Sequence, residues 1–277
     1  MNRLGRTRFK RSFLIASVLV VVLLAVAALA PYFVPYAYNE AQPTNAFQAP
    51  GREHLFGTDK LGRDVFSRVL CGARYSLTSA LVLVACIFVV GTALGVLAGY
   101  FGGVVDSVIM RLADMMISFP GMVLAIAVAG IMGASIVNAV IAITLVSWTK
   151  YARLARSIVL KVKHRDFVTA ARISGARHGH ILWKYMLPNV LPTLVVTATT
   201  DIGSMMMELA TLSFLGFGAT APLPEWGVML KEGRAHMQSA PWLMIYPGLA
   251  IFITVVVFNL FGDGLRDILD PRDGGQA

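Results

Sequence analysis

The chain has 277 residues, 57% of them hydrophobic and 14% charged, with a mean hydropathy of +0.70. Soluble globular domains carry about 25% charged residues, so this composition excludes an ordinary soluble fold and points to a polytopic α-helical membrane protein. The net charge of +9 does not call for nucleic acid, because in so apolar a chain loop charges orient the spans.

A helix crossing a hydrocarbon layer of about 30 Å takes about 20 residues. Six segments qualify: 13–34, 77–100, 113–132, 136–158, 191–215 and 243–261. The first follows a basic head, residues 1–12, and includes Ala-Leu-Ala ending at Ala30. Its apolar run is too long for a signal peptide, so it reads as an uncleaved anchor.

Residues 35–76 form the first long connection. Gly57-Thr58-Asp59 and Gly62-Arg63-Asp64 are turn-forming. Arg63 and Asp64 read first as fixed structural ions and second as docking contacts. Val65, Phe66, Val69, Leu70 and Tyr75 give a partly amphipathic helix suited to lying in the membrane interface.

In the second span Gly91, Gly95 and Gly99 recur every four residues, which sets them on one face for close helix approach. Cys86 lies in this apolar run and is expected to be buried, while Cys71 lies in a more polar stretch. Neither has metal-site or disulfide spacing. The third segment carries Asp114 and Pro120, and the proline should kink it or end a short helix before it.

Between spans four and five, residues 159–190 form a basic loop expected to fold as two short helices. Gly175 marks the turn between them, and Pro188 suits the start of the next helix. His164, His178 and His180 also fall here and read as solvated or interface histidines ahead of a metal site.

In the fifth span Thr197, Asp201, Ser204, Glu208 and Thr211 fall at steps of four and three, which makes one helix stripe. Ionisable groups in a span face a cavity or a partner. Asp201, Ser204 and Glu208 are therefore the candidates for a translocation path or a subunit interface. Met205, Met206 and Met207 cannot all share that face and read as packing. In the loop 216–241 and just beyond it, Trp226 and Trp242 are candidate interfacial anchors, or elements that shape the mouth of a pathway.

With the N-terminus inside, 17 Lys and Arg fall on inside segments and 7 outside. Both termini, including the tail 263–277, are therefore expected on the cytoplasmic side.

Within the basic loop Thr169-Ala170-Ala171, Gly175-Ala176 and Leu187-Pro188 keep one spacing. That pattern resembles the cytoplasmic signature of binding-protein-dependent ABC importer permeases, Glu-Ala-Ala, three residues, Gly, nine residues, Ile-x-Leu-Pro. Thr169 stands for the Glu and Tyr185 for the Ile. "HLFGTDKLGRDVFSRVLCGARYSL", "GYFGGVVDSVIMRLADMMISFPG", "LSFLGFGATAPLPEWGVML" and "PGLAIFITVVVFNLFGDGLRDILDPR" are similar to segments of dipeptide, oligopeptide and nickel permeases of the C type.

The resemblance implies an all-α fold with six transmembrane helices around a type I importer core, five of them in residues 77–262. It implies that residues 169–188 couple to an ATPase, with Ala170, Ala171, Gly175, Ala176, Leu187 and Pro188 in the contact. The implied partners are a homologous second permease, two ABC ATPase subunits, an extracytoplasmic solute-binding protein and the lipid bilayer of a bacterial inner membrane. The implied cargo is nickel, a metal chelate or a short peptide.

GxxxxGK[ST], HExxH and GxSxG are missing from the sequence. ATP hydrolysis is therefore expected on another polypeptide, with no catalytic residue, metal or cofactor on this chain. A membrane-embedded enzyme would need a catalytic pair at one depth, and a secondary transporter would need repeated halves. Neither pattern stands out.

Overall fold

The computed structural model describes residues 3–269, with side chains from residue 13 onward. The described residues are helical apart from loops and one isolated antiparallel bridge between Thr58 and Asp64. The helices are α1 (Arg3–Phe33), α2 (Val65–Phe101), α3 (Gly103–Ile117), α4 (Gly121–Met132), α5 (Ile136–Val162), α6 (Asp166–Ile173), α7 (His178–Ile181), α8 (Leu187–Leu215), α9 (Trp226–Gly233) and α10 (Trp242–Leu269).

By length and composition four helices can cross a membrane: Phe13–Phe33, Val65–Phe101, His178–Leu215 and Trp242–Leu269. The count becomes five if α3 and α4 make one broken span. The expected six are therefore not confirmed, for two physical reasons. Segment 113–132 is not one straight helix, because α3 ends before Pro120, which N-caps α4, and the pair is bent by 94°. Segment 136–158 lies within α5, where Lys150, Arg153 and Arg156 interrupt the apolar run.

The interfacial helix expected at 65–75 is instead the first part of α2, which runs unbroken for 37 residues, about 55 Å at 1.5 Å per residue. Asp64 starts it by accepting hydrogen bonds from the Ser67 backbone N–H and hydroxyl, both at 2.7 Å.

The centre of the molecule is the seam between α2 and α5. A side-chain carbon on Gly91 would lie 2.5 Å from Cβ of Tyr151, and one on Gly95 would lie 2.2 Å from the Ala152 carbonyl oxygen. The four-residue glycine spacing is thus a requirement of close packing. α8 packs against α2, α5 and α10, and α1 lies against α2 and α10. Cys71, not Cys86, is the buried thiol; Cys86 is only half-buried, because it sits off the packed face of α2.

The connection from α1 to α2 is fixed by charge. Arg63 and Arg68 are buried. Arg63 donates to Asp59 at 2.6 Å and to Glu232 at 3.0 Å, and Arg68 donates to Glu232 at 2.9 Å. His54 sits 2.9 Å from Asp64. These groups tie the loop to α9 and leave Arg63 and Asp64 as structural ions.

Trp226 is no interfacial anchor. It is buried, and its indole N–H donates to the Val69 carbonyl at 2.9 Å. Trp242 also turns inward and donates to the Thr58 carbonyl at 3.1 Å. Glu225 caps α9 through the N–H groups of Gly227 and Val228. Burial pushes its carboxyl pKa up, against the pull of those two donors.

Candidate functional site

Two places gather the residues that the sequence singles out. The first is the basic loop. α6 ends in a Schellman motif: the Ala176 N–H reaches back to the Ala171 carbonyl and the Gly175 N–H to Arg172, both at 3.0 Å. That motif needs a left-handed residue, and Gly175 has φ +79°. The spacing of Ala171, Gly175 and Ala176 is therefore the hydrogen-bond pattern of one helix stop.

α7 then runs without a break through a π-helical turn, Leu182–Met186, into α8. Pro188 stands in the first turn of α8 and has no N–H to give the Lys184 carbonyl, which accounts for the local widening. Ala171 is buried, Ala176 and Leu187 are half-buried, and Ala170, Gly175 and Pro188 are exposed. Apolar groups stand out from the same loop: Ile173 is 83% exposed and Trp183 75%.

The loop is also pinned to the end of α2. The Tyr100 hydroxyl lies 2.8 Å from His178 Nδ1, and the Arg172 guanidinium sits 5.5 Å from the Tyr100 ring centre. Sequence reading missed Tyr100, since no local pattern relates it to a loop 70 or more residues away. Among the described residues no three His, Cys, Asp or Glu side chains group as for a metal ion.

The second place is a cavity of about 460 Å³ between α3, α4, α5 and α8. Asp201, Ser204 and Glu208 all line it. Thr197 and Thr211 do not, and each donates to a carbonyl of its own helix, Thr193 and Met207. Asp201 is buried and accepts from Lys150 Nζ at 2.7 and 2.9 Å and from the Tyr151 hydroxyl at 3.0 Å.

Met116, Ile117 and Phe119 supply an apolar wall. Met205 also lines the cavity, but Met206 is packed in the core and Met207 points away, as the helix period requires. Lys150 and Tyr151 were missed as site residues. The reasoning that singled out Asp201, an ionisable group in an apolar run, applies equally to Lys150.

α3 crosses α5 through two further ion pairs. Arg156 binds Asp106 at 2.5 and 2.6 Å, and Arg153 pairs with Asp114.

Residues 91–273 match the family described as the binding-protein-dependent transport system inner membrane component. The chain belongs to that family. Residues 4–50 also match the N-terminal transmembrane domain of oligopeptide transport permease C. The permease is 42% identical to the dipeptide transport system permease protein DppC of Alkalihalophilus pseudofirmus, over 94% of this chain and 85% of that one. It is 41% identical to the nickel transport system permease protein NikC of Escherichia coli, over 93% of both. The glutathione transport system permease protein GsiD of Pectobacterium atrosepticum is 45% identical, over 93% of this chain and 86% of that one.

The fold matches a chain of the inward-facing MetNI methionine ABC transporter with a TM-score of 0.60. Identity there is 19%, with 74% of this permease and 97% of that chain covered.

Proposed function

We propose that this permease is one of two homologous membrane subunits of an ATP-driven type I importer, with hydrolysis on two separate ATPase subunits and cargo delivered by an extracytoplasmic binding protein. In this reading it has six spans. The bent pair α3–α4 is one, and α5 is another, since its 27 residues extend about 40 Å. Both termini are cytoplasmic, consistent with 17 Lys and Arg on that side against 7 on the other.

The exposed apolar loop α6–α7 is the ATPase contact. Closing of the ATPases displaces it, and α8 and the end of α2 move with it. ATP and cargo bias the two states only through contacts that differ between them.

The observation that carries the cargo reading is the cavity. Apolar walls stand in one cavity with Glu208, while Lys150 there is already paired with Asp201. That combination suits an organic solute that carries an ammonium group, so short peptides and peptide-like solutes come first. The dipeptide and glutathione permeases among the relatives support it. Nickel or a metal chelate is the second reading, favoured by the nickel relative and by two carboxylates on one cavity wall.

The test is uptake by the complete transporter in proteoliposomes, with labelled glycylglycine, glutathione and nickel ion supplied in turn. ATP-dependent uptake of a peptide supports the first reading. Uptake of nickel alone replaces it with the second.

A further inference from the structure

Among the described residues Glu208 has no hydrogen-bond or ion-pair partner, although it lines the cavity. Its neighbours make that notable. Asp201, seven residues earlier on the same helix, is matched by Lys150 and Tyr151. The Lys150–Asp201 pair is internally neutral, so Glu208 supplies the net charge of this wall. Seven residues of α-helix separate the two carboxylates by about 10 Å along the axis, which places them at different levels of one cavity.

Glu208 is half-buried, so it is open enough to be reached from the cavity, and Met116 and Phe119 line that same cavity with apolar surface. We propose that Glu208 is the recognition group for an ammonium group on the transported solute, with the apolar wall covering the organic body. This rests on the reading of the cavity as part of the path. A weak, single-charge contact of this kind selects for cations without holding them, as a pathway requires.

Ser204 offers a reporter. It faces the cavity one helical turn from Glu208, so the two Cβ atoms are about 5–6 Å apart. Its hydroxyl donates only to the Asp201 carbonyl, a bond whose loss a cysteine tolerates. The experiment uses the assembled transporter in membranes, with Cys71→Ala, Cys86→Ala and Ser204→Cys. A trimethylammonium-bearing and a sulfonate-bearing methanethiosulfonate are reacted in parallel, and each rate is divided by that reagent's rate with free 2-mercaptoethanol. Co-purification with the ATPase subunits confirms that each variant is assembled.

The expected result is a cationic preference that falls at least about fivefold on Glu208→Gln, the loss of one unit charge close by. Glu208→Asp should keep most of it. If both reagents react but the ratio is unmoved by Glu208→Gln, the recognition role is overturned while the path stands. If neither reagent reaches the cysteine, the cavity is closed to solute and the path reading falls with the proposal.

Discussion

The Tyr100 hydroxyl lies 2.8 Å from Nδ1 of His178, joining the end of α2 to the start of α7 outside the covalent chain. The loop is therefore tied to two helices, α8 through the continuous backbone and α2 through this bond. Tyr100→Phe keeps the ring under Arg172 and removes only the hydroxyl. A hydrogen bond is worth about 1 kcal/mol net, so a two-state balance should shift about fivefold. Uptake should fall relative to ATP hydrolysis with assembly unchanged, measured side by side in proteoliposomes.

The Lys150–Asp201 pair gives a second prediction. Asp201→Asn removes the charge that Lys150 faces and weakens the acceptor for the Tyr151 hydroxyl. The Lys150 side chain is 60% exposed, so solvent screens the pair and the coupling is expected at about 1–2 kcal/mol. A thermal-unfolding cycle on the purified complex with Lys150→Met, Asp201→Asn and the double variant measures it. The double variant should be more stable than the two single losses added together.

The ion network that ties the α1–α2 connection to α9 should cost more to break. Arg68 is almost fully buried, and Glu232 accepts from both Arg63 and Arg68. Glu232→Gln leaves two buried guanidinium groups short of a counter-charge. The loss expected for a broken buried pair is about 3–5 kcal/mol, read as a lowered melting temperature. Arg68→Lys, with Glu232 intact, should also lower stability, because one ammonium does not reproduce the guanidinium's contacts with Glu232 and the Tyr38 carbonyl.

Gly95→Ala tests the α2–α5 seam. The added carbon would meet the Ala152 backbone, which cannot yield without parting the helices. Loss of folded protein is expected, by about 3 kcal/mol or more by the overpacking mechanism. Gly248→Ala in α10 is the control, since the added carbon meets nothing within 4 Å. It should be neutral or stabilise by up to about 1 kcal/mol.

The helical class, the glycine seam, the stop at Gly175 and the proline break at Pro120 were legible in the sequence, because each is local chemistry or a repeat at helix period. Asp201, Ser204 and Glu208 were placed on one face for the same reason. The number of spans was not legible. Composition alone does not separate a straight span from α3 and α4 meeting at 94°, nor does it settle a helix that carries Lys150 and Arg153. The inward turn of Trp226 and Trp242 was not legible, because an indole beside a polar loop has the same local sequence whether it faces lipid or donates inward to Val69 or Thr58. Lys150 for Asp201 and Tyr100 for His178 are pairings across more than 50 residues, and tertiary packing alone sets them.

Whether the α6–α7 loop meets an ATPase on the cytoplasmic side is tested most directly at Ile173, the most exposed apolar side chain there. A benzophenone-bearing amino acid placed at that position in the complete transporter, in intact cells, is photoactivated and its adduct identified by mass. A crosslink to an ATPase subunit, missing when Phe47 carries the probe, is the expected result. An adduct at position 173 with the extracytoplasmic binding protein, or with lipid alone, would contradict both the orientation and the coupling role.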